Sequence, residues 1–168
     1  VLVMKKKLTA MLSLVLVLSL LAGCASGGAN NTAAGGDTIK VGVNYELTGS
    51  VATYGVSLND GVKLAFKEIN AAGGILGKQV EVVTVDNKSE DTESANVSTR
   101  LATRDKVVVL LGPATSGNTK AASPAANQNK IPLISASATA DDVTVDAKGN
   151  VREYIFKTCF SDSFQGVM

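Results

Sequence analysis

The sequence predicts an α/β fold, a parallel sheet covered by helices in three layers, and three observations predict it. Short β-branched runs alternate with helical patterns from Thr38 onward, and a strand, helix, strand repeat implies a parallel sheet. The run Val107-Val108-Val109-Leu110-Leu111 has no polar alternation, as suits a central strand buried on both faces. The stretch after Ser57 carries apolar residues at helical spacing on one side only, the mark of a helix that packs on such a sheet.

Ahead of these elements stands a different kind of segment. Lys5, Lys6 and Lys7 precede an apolar stretch from Leu8 to Leu21 and then Ala22-Gly23-Cys24, the pattern of an export signal. The apolar run is about 14 residues, shorter than the roughly 20 a helix needs to cross a bilayer. Leu21-Ala22-Gly23-Cys24 resembles the lipobox of bacterial lipoproteins. That resemblance implies lipidation of Cys24 and anchoring to the membrane through it. Ala25 to Asp37 is Ser, Gly, Ala and Asn with little apolar bulk, as expected of a flexible tether. The chain thus divides into residues 1–24 as signal peptide and lipobox, 25–37 as tether, and 38–168 as the folded part.

In that part, strands are expected at Ile39–Val43, Val80–Val85, Val107–Leu111 and Ile131–Ile134. The first helix places Leu58, Val62, Ala65, Phe66 and Ile69 on its packed face and Asn59, Lys63, Lys67 and Asn70 on the other. Ser57 with Asp60 would cap its start and Gly73-Gly74 would end it. A second helix runs from about Thr92 to Arg104, with Asp91 and Glu93 at its start and Arg100, Arg104 and Lys106 at its end, as the helix dipole favours. Its apolar face, Ala95, Val97, Leu101 and Ala102, is thin. A third lies between Gly117 and Asn129, where Pro124 would kink it or limit it to its ends. Phe160 to Gly166 opens a further helix near the end at Met168. With no following strand to complete its βαβ unit, the chain reads as a fragment.

Charge and composition narrow the function. Lys and Arg number 16 against 15 Asp and Glu, a formal net charge of +1, and no basic stripe points to nucleic acid. The absence of histidine removes the commonest metal ligand and the commonest general base. Cys159 is the only thiol besides Cys24. It cannot close an intramolecular disulfide once Cys24 is lipidated, and reads as a small buried apolar residue. Gly73-Gly74-Ile75-Leu76-Gly77-Lys78-Gln79 is one residue short of a phosphate loop and has Gln79 where Ser or Thr would bind magnesium, so a turn fits better. No cofactor is expected, and no dinucleotide fingerprint follows the first strand.

Ligands of open parallel sheets sit beyond the carboxyl ends of the strands. Three loops there are rich in small polar residues: Glu46 to Gly55, Gly112 to Thr119 and Ser135 to Thr139. They offer hydroxyls, open backbone and a helix start, the means to hold a carboxylate and an ammonium without reacting with them. Ser116 and Gly117 form one such seat for an anion, although a Ser at that point also fits a plain N-cap. Thr139 and the carbonyls near it could serve an ammonium, and an ordinary Ser/Thr turn is the alternative.

The region from Thr38 to Met168 resembles the N-terminal lobe of the branched-chain amino-acid-binding proteins of ABC transporters. The resemblance is carried by Ile39-Lys40-Val41-Gly42-Val43, Leu47-Thr48-Gly49, Tyr54-Gly55, and Ile69 to Gly77. It continues in Gly112-Pro113 with Ser116, Ile131 to Ser135, Ser137-Ala138-Thr139, and Asp162 with Gln165-Gly166. It implies the lobe of a type I periplasmic-binding-protein fold, truncated before its second lobe. Ser116 and the Gly117 backbone would hold the ligand α-carboxylate, and Ser137, Ala138 and Thr139 would face the ammonium, by the Ser137 carbonyl and Thr139 hydroxyl. Tyr54 would border the side-chain pocket. A member of that family has a disulfide in this lobe, and its positions are not cysteine here.

What this implies is a small amino-acid ligand, delivery to permease subunits, and no enzymatic step. A ligand-sensing receptor domain with the same lobe, or a binder of amides or urea, is the alternative. A secreted enzyme would need a nucleophile with its base, and the loops supply neither.

Overall fold

A computed structural model describes residues 38–168, and the segments expected to be export signal (with Cys24) and tether lie outside the described residues. Five strands form one sheet: β1 (Ile39–Tyr45), β2 (Val80–Asp86), β3 (Val109–Leu111), β4 (Leu133–Ser135) and β5 (Ile155–Lys157). Their order is β2-β1-β3-β4-β5, and every pairing is parallel. β1 and β2 run in register from Ile39 beside Val80 to Tyr45 beside Asp86. Of the nonalternating run, Val109–Leu111 form the central strand as expected, whereas Val107 and Val108 precede it and Val108 is 57% exposed. β5 was not evident in the sequence because its three residues are bounded by polar and charged neighbours and only Ile155 is buried.

Helices α1 (Ala52–Ala71), α2 (Asp91–Thr103) and α3 (Ser116–Asn129) cover the sheet, and α4 (Asp162–Gln165) is a single turn. On one side Leu58 and Val62 of α1 pack with Val43, Tyr45, Val82, Leu111 and Ala114. On the other, Val97 and Leu101 of α2 and Ala122 and Ala126 of α3 pack with Leu110, Leu133, Ala138, Val143 and Ile155. Apolar area removed from water on both faces of the sheet gives the three layers.

Several local expectations change. α1 starts at Ala52, so Ser57 lies inside it and its hydroxyl donates to the Thr53 carbonyl at 2.9 Å instead of capping the start. Asn59, placed on the outer face, is buried, and Ala65, placed on the packed face, is exposed. Gly73 and Gly74 do end the helix, with φ of 104° and 81°. A side chain at Gly74 would also meet the Lys78 carbonyl oxygen at 2.0 Å. The Gly73–Gln79 segment is a turn, with Ile75 bridged to Lys78. The thin face of α2 is completed by buried Ser94 and Ser98. α3 runs unbroken through Pro124, which is exposed so that its ring faces away from the packed side. Cys159 is half-buried, not buried.

Candidate functional site

The loops after β1, β3 and β4 open on the same end of the sheet. There Tyr54, Ala114, Thr115, Ser116, Ser137 and Thr139 line an open recess of about 410 Å3. Four of the residues singled out from the sequence therefore meet in one place. Gly117 is exposed beside it, where an added Cβ would lie 3.2 Å from the Asp91 carboxylate. Ala138 departs from expectation: its side chain is fully buried in the core cluster and does not line the recess, because the loop turns it toward Leu133 and Val143.

The seat after β3 is built from α3 upward. Its N-cap is Thr115, whose hydroxyl oxygen accepts the Asn118 N–H at 3.4 Å, so Ser116 is not the cap. Ser116 is the first residue of the helix, and its hydroxyl oxygen accepts the Ala140 N–H at 3.1 Å. That bond occupies a lone pair and leaves the hydroxyl proton to donate. Among the described residues the backbone N–H groups of Ser116 and Gly117 have no acceptor. Two N–H donors and one O–H at the positive end of a 14-residue helix have the chemistry to accept an anion such as a carboxylate.

Across the recess, the Ser137 hydroxyl donates to the Ala114 carbonyl at 2.7 Å and is committed to the fold. Among the described residues its carbonyl and the Thr139 hydroxyl have no partner. The Thr139 carbonyl is held by Lys157 Nζ at 3.2 Å and by the Asp162 N–H at 2.9 Å, which fixes the loop against β5 and α4. An acceptor and a hydroxyl facing a recess suit an ammonium group. Tyr54, 65% exposed, stands at the rim.

Sequence reasoning missed what lies beneath. Glu46 is 0% exposed. Its carboxylate accepts the N–H of Ala114 at 2.9 Å, the N–H and hydroxyl of Thr115 at 3.1 and 2.9 Å, and the Asn118 side-chain amide at 2.9 Å. Below it, Asn87 donates to Asn44 at 2.9 Å, and Asn44 donates to the Ser98 hydroxyl at 2.8 Å. The side-chain nitrogen and oxygen atoms buried among the described residues are all paired. The signal was an acidic residue directly after β1, but its partners lie 68 to 72 residues away in sequence.

The Glu46 charge is felt next door. Burial first, and that charge second, push the Tyr45 hydroxyl up to about 12. At the rim of β2, burial pushes the Asp86 carboxyl up. The Thr48 hydroxyl and the N–H groups of Lys88, Leu47 and Thr48 outweigh this and hold it below its ordinary 3.8.

Residues 38–166 match a protein family described as periplasmic binding protein. Among curated proteins, the chain is 32% identical to the Leu/Ile/Val-binding protein BraC3 of Rhizobium johnstonii, over 76% of this chain and 33% of that one. It is 33% identical to the Leu/Ile/Val-binding protein of Escherichia coli, over 88% and 39%. Among solved structures, it is similar to the branched-chain amino acid transporter substrate binding protein LivJ of Streptococcus pneumoniae in complex with isoleucine. That match has a TM-score of 0.71 and 53% identity over 76% of this chain and 35% of that one. The chain spans about a third of the length of the relatives it matches.

Proposed function

The chain belongs to the periplasmic binding protein family, and from that premise we propose that it captures a branched-chain or similar amino acid outside the cytoplasm for an ABC importer. The observation that carries this reading is the pairing of a donor set with an acceptor set across one recess. The N–H groups of Ser116, in the lining, and of Gly117, beside it, have no acceptor among the described residues and with the Ser116 hydroxyl would hold a carboxylate, while the Ser137 carbonyl and Thr139 hydroxyl would receive an ammonium. An α-amino acid presents both groups on one carbon. Tyr54 at the rim would contact its side chain.

In this reading Ser116, Gly117, Ser137 and Thr139 bind and orient the ligand, and no bond is made or broken. The neighbour in complex with isoleucine supports the ligand class. Export by residues 1–24 and lipid attachment at Cys24 would keep the protein near its permease, with 25–37 as the leash. Labelled fatty acid fed to cells should be incorporated into the wild type and not into Cys24→Ala.

Titration calorimetry of the full-length gene product with leucine, isoleucine, valine, smaller amides and urea tests the ligand. Saturable binding of a branched-chain amino acid is expected. Heat with none of the panel would overturn the proposal.

A further inference from the structure

Glu46 has no role in the reading above, yet it is a fully buried carboxylate one residue behind the wall of the recess. Four donor groups from three residues bond its carboxylate, and among the described residues it has no salt-bridge cation. Burying such a charge is costly unless donors compensate it. Here the compensating donors are those of the ligand loop itself. Two consequences follow from the geometry.

First, the loop's N–H groups are divided. Ala114 and Thr115 turn theirs inward to Glu46, and the next two, of Ser116 and Gly117, remain for the recess. The Thr115 hydroxyl proton is also committed to Glu46, which leaves its oxygen to receive Asn118 N–H and cap α3. Second, a fixed negative charge stands behind a seat for anions. It opposes a ligand that brings only a carboxylate and is offset for one that brings an ammonium as well.

We infer that Glu46 is a positioning and specificity residue of this site, holding the carboxylate seat in shape and making it prefer zwitterions over ligands of net negative charge. The inference rests on the proposed reading of the recess. Asp91 is an acidic group near Gly117. It is exposed, so solvent screens it.

The test compares leucine with its α-keto acid, which has the same side chain and carboxylate but no ammonium, in wild type, Glu46→Gln and Asp91→Asn. Glu46→Gln should weaken leucine and narrow the leucine-to-keto-acid preference by about tenfold, as loss of one fixed charge in a poorly solvated place would. Asp91→Asn should change that preference less than about twofold, as expected of a screened charge. Equal weakening of both ligands in Glu46→Gln would overturn the specificity role and leave Glu46 a structural residue. Should that variant fold poorly, amide exchange in the wild type decides the positioning role. Without ligand, Ala114 and Thr115 should be protected and Ser116 and Gly117 should not. Fast exchange at Ala114 and Thr115 would overturn it. Failure of the wild type to bind leucine would overturn the reading of the recess instead, and the same exchange data would still judge the hold of Glu46 on the loop.

Discussion

The backbone N–H of Ala140 donates to the hydroxyl oxygen of Ser116 across 3.1 Å, so the seat after β3 and the loop after β4 form one unit. The two halves of the recess come from strands that are neighbours in the sheet. This bond sets the distance between them.

Ser116→Ala removes both that link and a donor to the ligand. Loss of affinity for leucine by about 1–3 kcal/mol is expected, the cost of leaving a charged partner unpaired. Ser116→Thr, which keeps the hydroxyl, should lose less. Calorimetry on the two variants checks the order, and equal losses would contradict it.

Thr139→Val separates binding from folding, since the Thr139 hydroxyl has no protein partner among the described residues. Affinity should fall by about 1–3 kcal/mol, with the thermal midpoint of the unliganded protein unchanged. A lowered midpoint with intact affinity would place the hydroxyl in the fold and not at the ligand.

Two glycines of α1 should respond oppositely to alanine. At Gly55 an added Cβ would fall 2.1 Å from the Glu46 carbonyl oxygen, whereas at Gly61 it would meet nothing within 4 Å. Gly55→Ala should destabilise by about 1–3 kcal/mol, as overpacking does. Gly61→Ala should stabilise by about 0.5–1 kcal/mol, the helix preference for alanine. Urea denaturation distinguishes them.

Stability should also depend on pH at both ends. Tyr45 has its folded value raised from 10.0 to about 12, so the unfolded chain loses its proton first. Stability is full below pH 10 and falls as pH rises toward 12, by roughly 2–3 kcal/mol. Tyr45→Phe should flatten that decline in alkaline denaturation. Asp86 is shifted the other way, below 3.8. Its contribution is present above the unfolded value and is lost as pH falls through the folded one, and Asp86→Asn should remove that part of the acid loss.

What the sequence made legible was whatever local pattern determines. The β-branched runs marked four of the five strands because a sheet buried on both faces needs them, and the charges at the ends of α2 marked its limits. The polar loops identified the end of the sheet at which the recess lies. What stayed hidden depends on partners distant in sequence. Ser94 and Ser98 look like outward residues until Asn44 is seen donating to them. Gly55 reads as loop until its close approach to Glu46 shows why α1 needs glycine near its start. Glu46 itself reads as one more polar loop residue, because its four donors come from segments that only the folded sheet brings to it.

The most direct measurement is a crystal structure of the full-length gene product grown with a branched-chain amino acid. The account predicts the ligand chemically unaltered, its carboxylate within hydrogen-bond reach of the Ser116 and Gly117 N–H groups and its ammonium facing Thr139. A ligand bound away from the ends of β3 and β4, or turned over into another compound, would contradict it.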